Sequence, residues 1–155
     1  MGIPLVIKLK LVRKINTLQG RVMQKEQFEQ AITRIRSRDK RFEREAYFFL
    51  KEALDYTVQD ISTQARENSK HVSASQLLHG FRDLALKEFG PMAATLFNEW
   101  GIQSCGDIGD MVFLLIKEGV FGKQDNDRPE DFIEIFSFES VFVTPFLPQR
   151  DGKVT

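Results

Sequence analysis

The residues best suited to nucleophilic or metal chemistry in this chain are two histidines, His71 and His79, and a single cysteine, Cys105. On a helix, an eight-residue spacing separates the histidines by about 12 Å along the axis, too far to share one metal ion. A zinc site would also need two further ligands, which only Cys105 and carboxylates could supply. We therefore predict no metal site and no cofactor.

Cys105 has two interpretations. At the start of a predicted helix, the helix dipole would lower the pKa of its thiol and favour a reactive thiolate. The alternative is a small residue in a turn, and we favour it because no histidine or lysine lies near Cys105 in the sequence. No glycine-rich phosphate loop, catalytic carboxylate pair or nucleophile elbow is evident. A small enzyme of unknown class is therefore our third functional hypothesis, and no catalytic residue is predicted.

The strongest electrostatic feature is a basic cluster at positions 34–44, made up of Arg34, Arg36, Arg38, Lys40, Arg41 and Arg44. These side chains could bind phosphates, while Phe42 and Tyr47 nearby could stack on bases. Asp39 and Glu43 lie within the cluster and Glu45 directly follows it, which reduces the net charge of residues 34–45 to +3. Direct nucleic-acid binding is therefore one hypothesis. We favour the other, a solvated helix junction paired partly with acidic residues later in the chain.

Charge is divided unevenly along the chain. Residues 1–90 hold 17 basic and 11 acidic side chains, whereas residues 91–155 hold 5 and 11, so the two parts stand at +6 and −6. This asymmetry could orient the protein toward a charged partner or hold its own two layers together, and we favour the second explanation.

The composition indicates one compact domain. The chain has 155 residues, of which 42% are hydrophobic, enough for one sizeable core. Fourteen phenylalanines against two tyrosines and one tryptophan suit a buried core better than a wet binding face. A single cysteine excludes an internal disulfide and is compatible with a reducing compartment. No run of about 18 apolar residues exists, so no membrane span is predicted.

Two helices and their boundaries can be read between positions 71 and 101. Ser73 and Gln76 have the spacing of a capping box, and an apolar stripe at helical spacing follows, formed by Leu77, Leu78, Phe81, Leu84 and Ala85. Gly90 and Pro91 end this helix and start the next one, which stops at Gly101.

Three further helices are predicted from apolar stripes. The first spans about 24–36, and the second, the expected central core helix, covers about 46–61. The third runs from Cys105 to Glu118. Beyond it, residues 133–138 have the β-branched and aromatic bias of a strand, with Val120 and Phe121 as a possible hairpin partner. We therefore expect a mainly α fold of about five helices with a small β-hairpin.

The amino-terminal residues 1–22 have five basic side chains, no acidic ones and no convincing secretory signal. Their alternation around residues 5–11 gives one edge strand at best. We favour translation from Met23, which would make 1–22 a mis-assigned start or a disordered extension. The predicted domain then covers 23–147, followed by a polar tail at 148–155.

Residues 96–138 follow the order helix, short turn, helix and hairpin with a charged tip, and resemble a winged helix-turn-helix. Cys105–Glu118 would take the place of the recognition helix. Such a helix needs cationic or amide side chains for DNA, but this one offers Asp107, Asp110 and Glu118 against Lys117 alone. We expect this acidic face to contact a protein rather than DNA.

Four blocks resemble a small uncharacterised bacterial family with a Minf-type locus name: RDKRFEREAYFFLKEALDYT, HVSASQLLHGFRDLALKEFGPMAATLFNEWGI, DIGDMVFLLIKEGVFGK and DFIEIFSFESVF. The resemblance covers about Met23 to Val143. It implies a single-domain soluble bacterial protein of unassigned activity, with no catalytic or binding residues to carry over.

The functional prediction is a non-enzymatic protein-interaction module, an adaptor of the bacterial cytoplasm. Its opposed basic and acidic faces would dock on a protein or ribonucleoprotein partner, and no membrane partner is expected. Direct nucleic-acid binding through residues 34–44 is the alternative.

Overall fold

Helices dominate the computed structural model of this chain, which describes residues 6–9, 18–65, 71–123, 129–132 and 135–148. Within these ranges there are five α-helices: α1 (Leu18–Arg38), α2 (Arg44–Ala65), α3 (Ala74–Phe89), α4 (Ala93–Trp100) and α5 (Cys105–Lys117). Shorter 3₁₀ turns cover Gly90–Met92, Pro129–Phe132 and Thr144–Phe146, and a π-helical turn covers Glu139–Val143. The prediction of a mainly helical fold is confirmed.

The apolar stripes read from the sequence form the core. The stripe of α3 is buried along its length, and so are Phe28, Ile32 and Ile35 on α1. The predicted central helix, α2, buries Leu50 and Leu54 completely and packs along α3. Hydrophobic side chains removed from water at helical spacing are what position these helices, because each apolar face needs a partner.

Local capping chemistry sets the ends of α3 and α4 as predicted. The Ser73 hydroxyl accepts from the Gln76 N–H at 3.1 Å, and the Gln76 side chain accepts from the Ser73 N–H at 2.9 Å. Gly101 ends α4 in the left-handed conformation with φ of 88°, which glycine adopts without a Cβ clash. Pro91 differs from the prediction, since it lies in the 3₁₀ turn that precedes α4.

The β-structure differs from the predicted hairpin. Three short strands, β1 (Val6–Leu9), β2 (His71–Ser73) and β3 (Phe121–Lys123), form an antiparallel sheet in the order β2-β1-β3. β1 is therefore the middle strand of this sheet rather than an edge strand. Its partners are β2 on one side and β3, which contains Phe121, on the other. Residues 135–137 are irregular and Phe138 begins a helical turn, so the described part of 133–138 is not a strand. Aromatic burial, described below, competes with strand pairing there.

The first helix also begins earlier than predicted, at Leu18 rather than near residue 24. The prediction rested on apolar periodicity, and the stripe that the sequence shows for this helix starts at Phe28. The polar tail predicted at 148–155 lies outside the described residues except for its first position, as do positions 1–5 and 10–17 of the predicted extension.

Phenylalanines fill the space between α2, α3 and α4. The ring of Phe49 lies 4.9 Å from that of Phe81 and 5.7 Å from that of Phe97, measured between centroids. Residues 135–148, which we call the closing segment, join this cluster through Phe142, whose ring lies 5.2 Å from Phe97. Edge-on and tilted aromatic pairs of this kind add about 0.5–1.5 kcal/mol each to the area they bury.

Candidate functional site

The basic cluster lies at the carboxyl end of α1 and in the turn that leads to α2. Arg36 and Arg38 occupy the last turn of α1, where cations interact favourably with the helix dipole. Asp39 then accepts a hydrogen bond from the Arg41 backbone N–H at 2.9 Å, which closes the turn. The local fold therefore places Arg34, Arg38 and Arg41 on the side that faces α5.

Glu118, just past the end of α5, binds two of these arginines. Its Oε2 lies 2.8 Å from the Arg34 Nε, and its Oε1 pairs with an Nη of Arg38. The Glu118 side chain is only 11% exposed, whereas both arginines are more than half exposed. The hydrogen bond from Arg34 lowers the pKa of Glu118, and the positive charge of Arg38 adds to this effect.

Arg41 makes the second connection to α5. Its Nη1 lies 2.7 Å from the Asp110 Oδ2, and its Nη2 pairs with Asp107. The hydrogen bond to Asp110 raises the pKa of Arg41, although burial opposes this shift. Asp107 also accepts from the Gln103 backbone N–H at 2.7 Å, in the first turn of α5 where negative charge is favourable. One carboxylate thus stabilises a helix start and holds an arginine.

The structure therefore brings the two predicted contact sets together. We call the contacts of Arg34, Arg38 and Arg41 with Asp107, Asp110 and Glu118 the ion-pair interface. Three of the six basic candidates face all three acidic candidates across α1 and α5. The opposite net charges of the two parts of the chain had already indicated that these arginines could pair with carboxylates of the same chain rather than with an external phosphate.

The other three basic candidates have separate environments. Arg36 donates to the Phe42 carbonyl and to Glu43, both at 3.2 Å. The guanidinium of Arg44 lies 5.8 Å from the Phe48 ring centroid. Lys40 is exposed and has no ion pair within the described part of the chain.

The two aromatic residues expected to stack on bases are unavailable for that role. Phe42 and Tyr47 both have a relative exposure of 0% and pack edge-on against one another, with 6.2 Å between ring centroids. Burial raises the pKa of Tyr47 to about 12. The Tyr47 hydroxyl is buried and has no hydrogen-bond partner among the described residues. Phe42 precedes α2, so helical spacing did not reveal that its ring is buried.

Cys105 occupies the first turn of α5, with the Ser104 hydroxyl accepting from the Asp107 N–H at 3.2 Å. The thiol is buried and lies 3.3 Å from the Phe136 carbonyl, to which it donates. Burial raises the pKa of Cys105, and hydrogen bonding only partly offsets this effect. The small-residue interpretation therefore fits the structure better than a reactive thiolate.

The two histidines form no described catalytic pair with this thiol. His79 is exposed on α3, where its Nδ1 lies 3.5 Å from the Ser75 Oγ. His71 belongs to β2, and its side chain lies outside the described residues. Among the residues whose side chains are described, no three histidine, cysteine or carboxylate groups come close enough to hold a metal ion.

An exposed apolar surface is the feature that the sequence did not predict. Four large hydrophobic side chains are exposed among the described residues, and we call them the apolar patch: Met92 (56%), Leu147 (54%), Phe146 (42%) and Val143 (36%). The 3₁₀ turn that carries Met92 contacts the π-helical turn that ends at Val143, so the closing segment and the α3–α4 junction share this surface. Monomeric proteins rarely leave contiguous apolar side chains exposed without a binding role.

Other aromatic residues of the closing segment pack against α4 and fix the position of the segment that carries part of the patch. Phe138 and Phe142 lie 5.9 and 5.2 Å from the Phe97 ring on α4, and Phe142 is buried. Phe146 follows one turn later and finds no such place in the core. The sequence alone does not distinguish Phe146, which is exposed, from Phe138 and Phe142, which pack against Phe97.

No protein-family model, curated protein or solved structure matches this chain. The described helices include none with the length and apolarity needed to cross a bilayer.

Proposed function

We propose that this protein is a non-enzymatic protein-interaction module, an adaptor of the bacterial cytoplasm, and that it binds its partner through the apolar patch. The observation that carries the proposal is the exposure of Met92, Val143, Phe146 and Leu147 beside a well-buried aromatic cluster. These side chains are 36–56% exposed, so covering one of them would gain about half of the roughly 1.5–3 kcal/mol that complete burial contributes. A partner that covered all four would therefore gain enough to offset part of the cost of association.

The ion-pair interface supports this choice over nucleic-acid binding. A phosphate backbone attracts unpaired cations, but Arg34, Arg38 and Arg41 each face a carboxylate of this chain. The aromatic residues that would stack on bases are buried. We therefore propose that the opposed charged faces pair with each other within the chain and that the apolar patch is the surface that contacts a partner.

Two finer features remain part of the proposal. The turn from Gly101 to Ser104, which joins α4 and α5, suits a winged-helix-like arrangement, whereas the pairing of β3 with β1 departs from a simple wing. The resemblance to the bacterial family rests on the four sequence blocks. Neither feature adds a ligand or a catalytic residue.

The test compares capture of cellular proteins by three forms of the full chain, with and without nuclease. Met92→Ser with Phe146→Ser removes apolar area without adding charge. Gln27→Ser with Gln30→Ser is the matched control on the exposed face of α1. We expect specific proteins to be retained by the wild type and the control after nuclease, and lost from the patch variant. Equal retention by all three forms would overturn the proposal.

The nucleic-acid alternative is tested in the same experiment by Lys40→Glu with Arg44→Glu. These two cluster members make no described ion pair, so the change leaves the ion-pair interface intact. Loss of all captured material on nuclease treatment, together with loss in this variant, would replace the proposed function with nucleic-acid binding.

A further inference from the structure

We infer that the partner segment that docks on the apolar patch is a short basic amphipathic peptide, with apolar anchors flanked by lysine or arginine; this inference rests on the proposed function. Its basis is the one-sided charge around the patch. Between positions 88 and 104 and between 135 and 148, the side chains that carry charge are Glu88, Glu99 and Glu139. All three are exposed, and these two stretches contain no lysine or arginine.

One of these carboxylates belongs to an element that forms the patch, and a second lies just before another such element. Glu139 begins the π-helical turn that ends at Val143. Glu88 lies in the last turn of α3, directly before the 3₁₀ turn that carries Met92. Since those two turns contact each other, Glu139 lies on one of the elements that meet at the patch and Glu88 lies two residues before the other. Lys87 directly precedes the first stretch, with its ammonium 6.0 Å from the Tyr56 ring centroid on α2, and Arg150 follows the second stretch by two positions.

Glu88 and Glu139, which we call the acidic border, favour some partners over others by charge. Nucleic acids and anionic lipid surfaces would bring negative charge toward Glu88 and Glu139, which costs free energy at moderate ionic strength. A cationic segment would instead gain from the same field, and the gain would fall as salt screens it. Charge complementarity of this kind adds specificity to an apolar contact.

The size of the patch favours a segment over a second copy of this chain. A standard protein interface takes about 800 Å² and 20–30 residues from each partner. Four exposed hydrophobic side chains provide only the centre of such an interface, which suits the two or three anchors of a short helix or extended peptide. Two-fold pairing through this patch would also bring carboxylates of both copies together without cations on the two bordering stretches.

The inference is tested with two synthetic 14-residue fluorescent peptides that share the same leucine positions. One carries lysine at every polar position and the other glutamate. Binding to the full chain is followed by fluorescence anisotropy in 50 and 300 mM salt. We expect the lysine peptide to bind at least ~10-fold more tightly than the glutamate peptide, and its affinity to fall in the higher salt. Met92→Ser with Phe146→Ser should reduce binding of the lysine peptide about 10-fold.

The charge variants show whether the border acts locally. Glu88→Gln with Glu139→Gln should weaken the lysine peptide about fivefold. Glu26→Gln with Glu52→Gln changes the net charge equally at exposed positions on α1 and α2 and should leave the affinity unchanged. Equal binding of both peptides, or equal loss in both charge variants, would overturn the inference. Binding to phosphatidylglycerol vesicles, or a patch-dependent dimer in sedimentation, would overturn it in favour of those occupants.

The outcomes also separate this inference from the function on which it rests. If cellular proteins are captured through the patch but the peptides show no charge preference, the interaction module stands and the basic partner is wrong. If patch substitution leaves capture unchanged, the proposed function itself fails.

Discussion

Gly80 offers the sharpest test of the packing that supports the patch. It lies on α3 opposite α2, and a Cβ added there would lie 1.8 Å from the Thr57 Oγ1 and 3.0 Å from the Thr57 Cβ. Thr57 is buried, and its hydroxyl donates to the Ala53 carbonyl at 2.7 Å. The two helices therefore approach each other at a point that admits no additional methyl group.

We expect Gly80→Ala to destabilise the fold by about 1–2 kcal/mol. Forcing a methyl group into a packed core costs about 1–3 kcal/mol, and rotating Thr57 away would lose a hydrogen bond worth about 1 kcal/mol. Alanine regains about 0.5–1 kcal/mol because it orders more easily than glycine in a helix. For a protein of this size, the net loss lowers the melting temperature by about 2–8 °C.

The reasoning is tested by a double-mutant cycle in urea, with helicity followed by circular dichroism. In the Thr57→Ala background the obstructing hydroxyl is absent and only the 3.0 Å approach to the Cβ of residue 57 remains, so Gly80→Ala should cost less than in the wild type, giving a coupling of about 1 kcal/mol. Gly106→Ala is the control, since its Cβ would lie 3.5 Å from the Ser104 Oγ, an ordinary contact. An equal cost of Gly80→Ala in both backgrounds would refute the proposed clash.

Three further predictions concern single buried or paired groups. Tyr47→Phe removes a buried hydroxyl that has no partner within the described part of the chain, so the urea midpoint should stay unchanged or rise. A loss above about 1 kcal/mol would contradict this account of the hydroxyl. Glu118→Gln should cost about 0.5–1 kcal/mol at pH 7, because its arginine partners are largely exposed. The lowered pKa of Glu118 means that its stabilisation is complete above the usual value of about 4.5 and is lost as the pH falls through the folded value. The variant should therefore lose less stability between pH 5 and 3 than the wild type, and parallel curves would contradict the pairing. Cys105 should react slowly with a disulfide reagent at pH 7.5 and rapidly in urea, since burial raises the pKa of its thiol; rapid reaction of the native protein would restore the thiolate hypothesis.

Local signals predicted the helices well because capping and periodicity act over a few residues. The Ser73 capping box, the left-handed Gly101 and the buried stripe of α3 all follow from side chains within one or two turns. The start of α1 was missed because its first turns precede the buried stripe. The sheet was missed because strands β1 and β3 lie more than 100 residues apart, beyond any local pattern.

At the candidate site, too, the sequence indicated which residues could pair but not the specific contacts between them. Opposite net charges on the two parts of the chain indicated that basic and acidic residues could pair, but not that Glu118 would hold both Arg34 and Arg38. Phe142 is buried and Phe138 contacts Phe97, whereas Phe146 of the same segment is exposed, a difference among similar side chains that periodicity does not resolve.

The long sequence separation within the ion-pair interface has a consequence for synthesis of the protein. Glu118 follows Arg38 by 80 residues, so at 5–20 residues per second the arginines are made about 4–16 s before their carboxylate. During that interval the nascent chain presents its basic cluster without the partners that α5 supplies. Completion of α5 and Glu118 is therefore the step that supplies carboxylates to Arg34, Arg38 and Arg41, and a chain truncated before residue 105 would lack all of these partners.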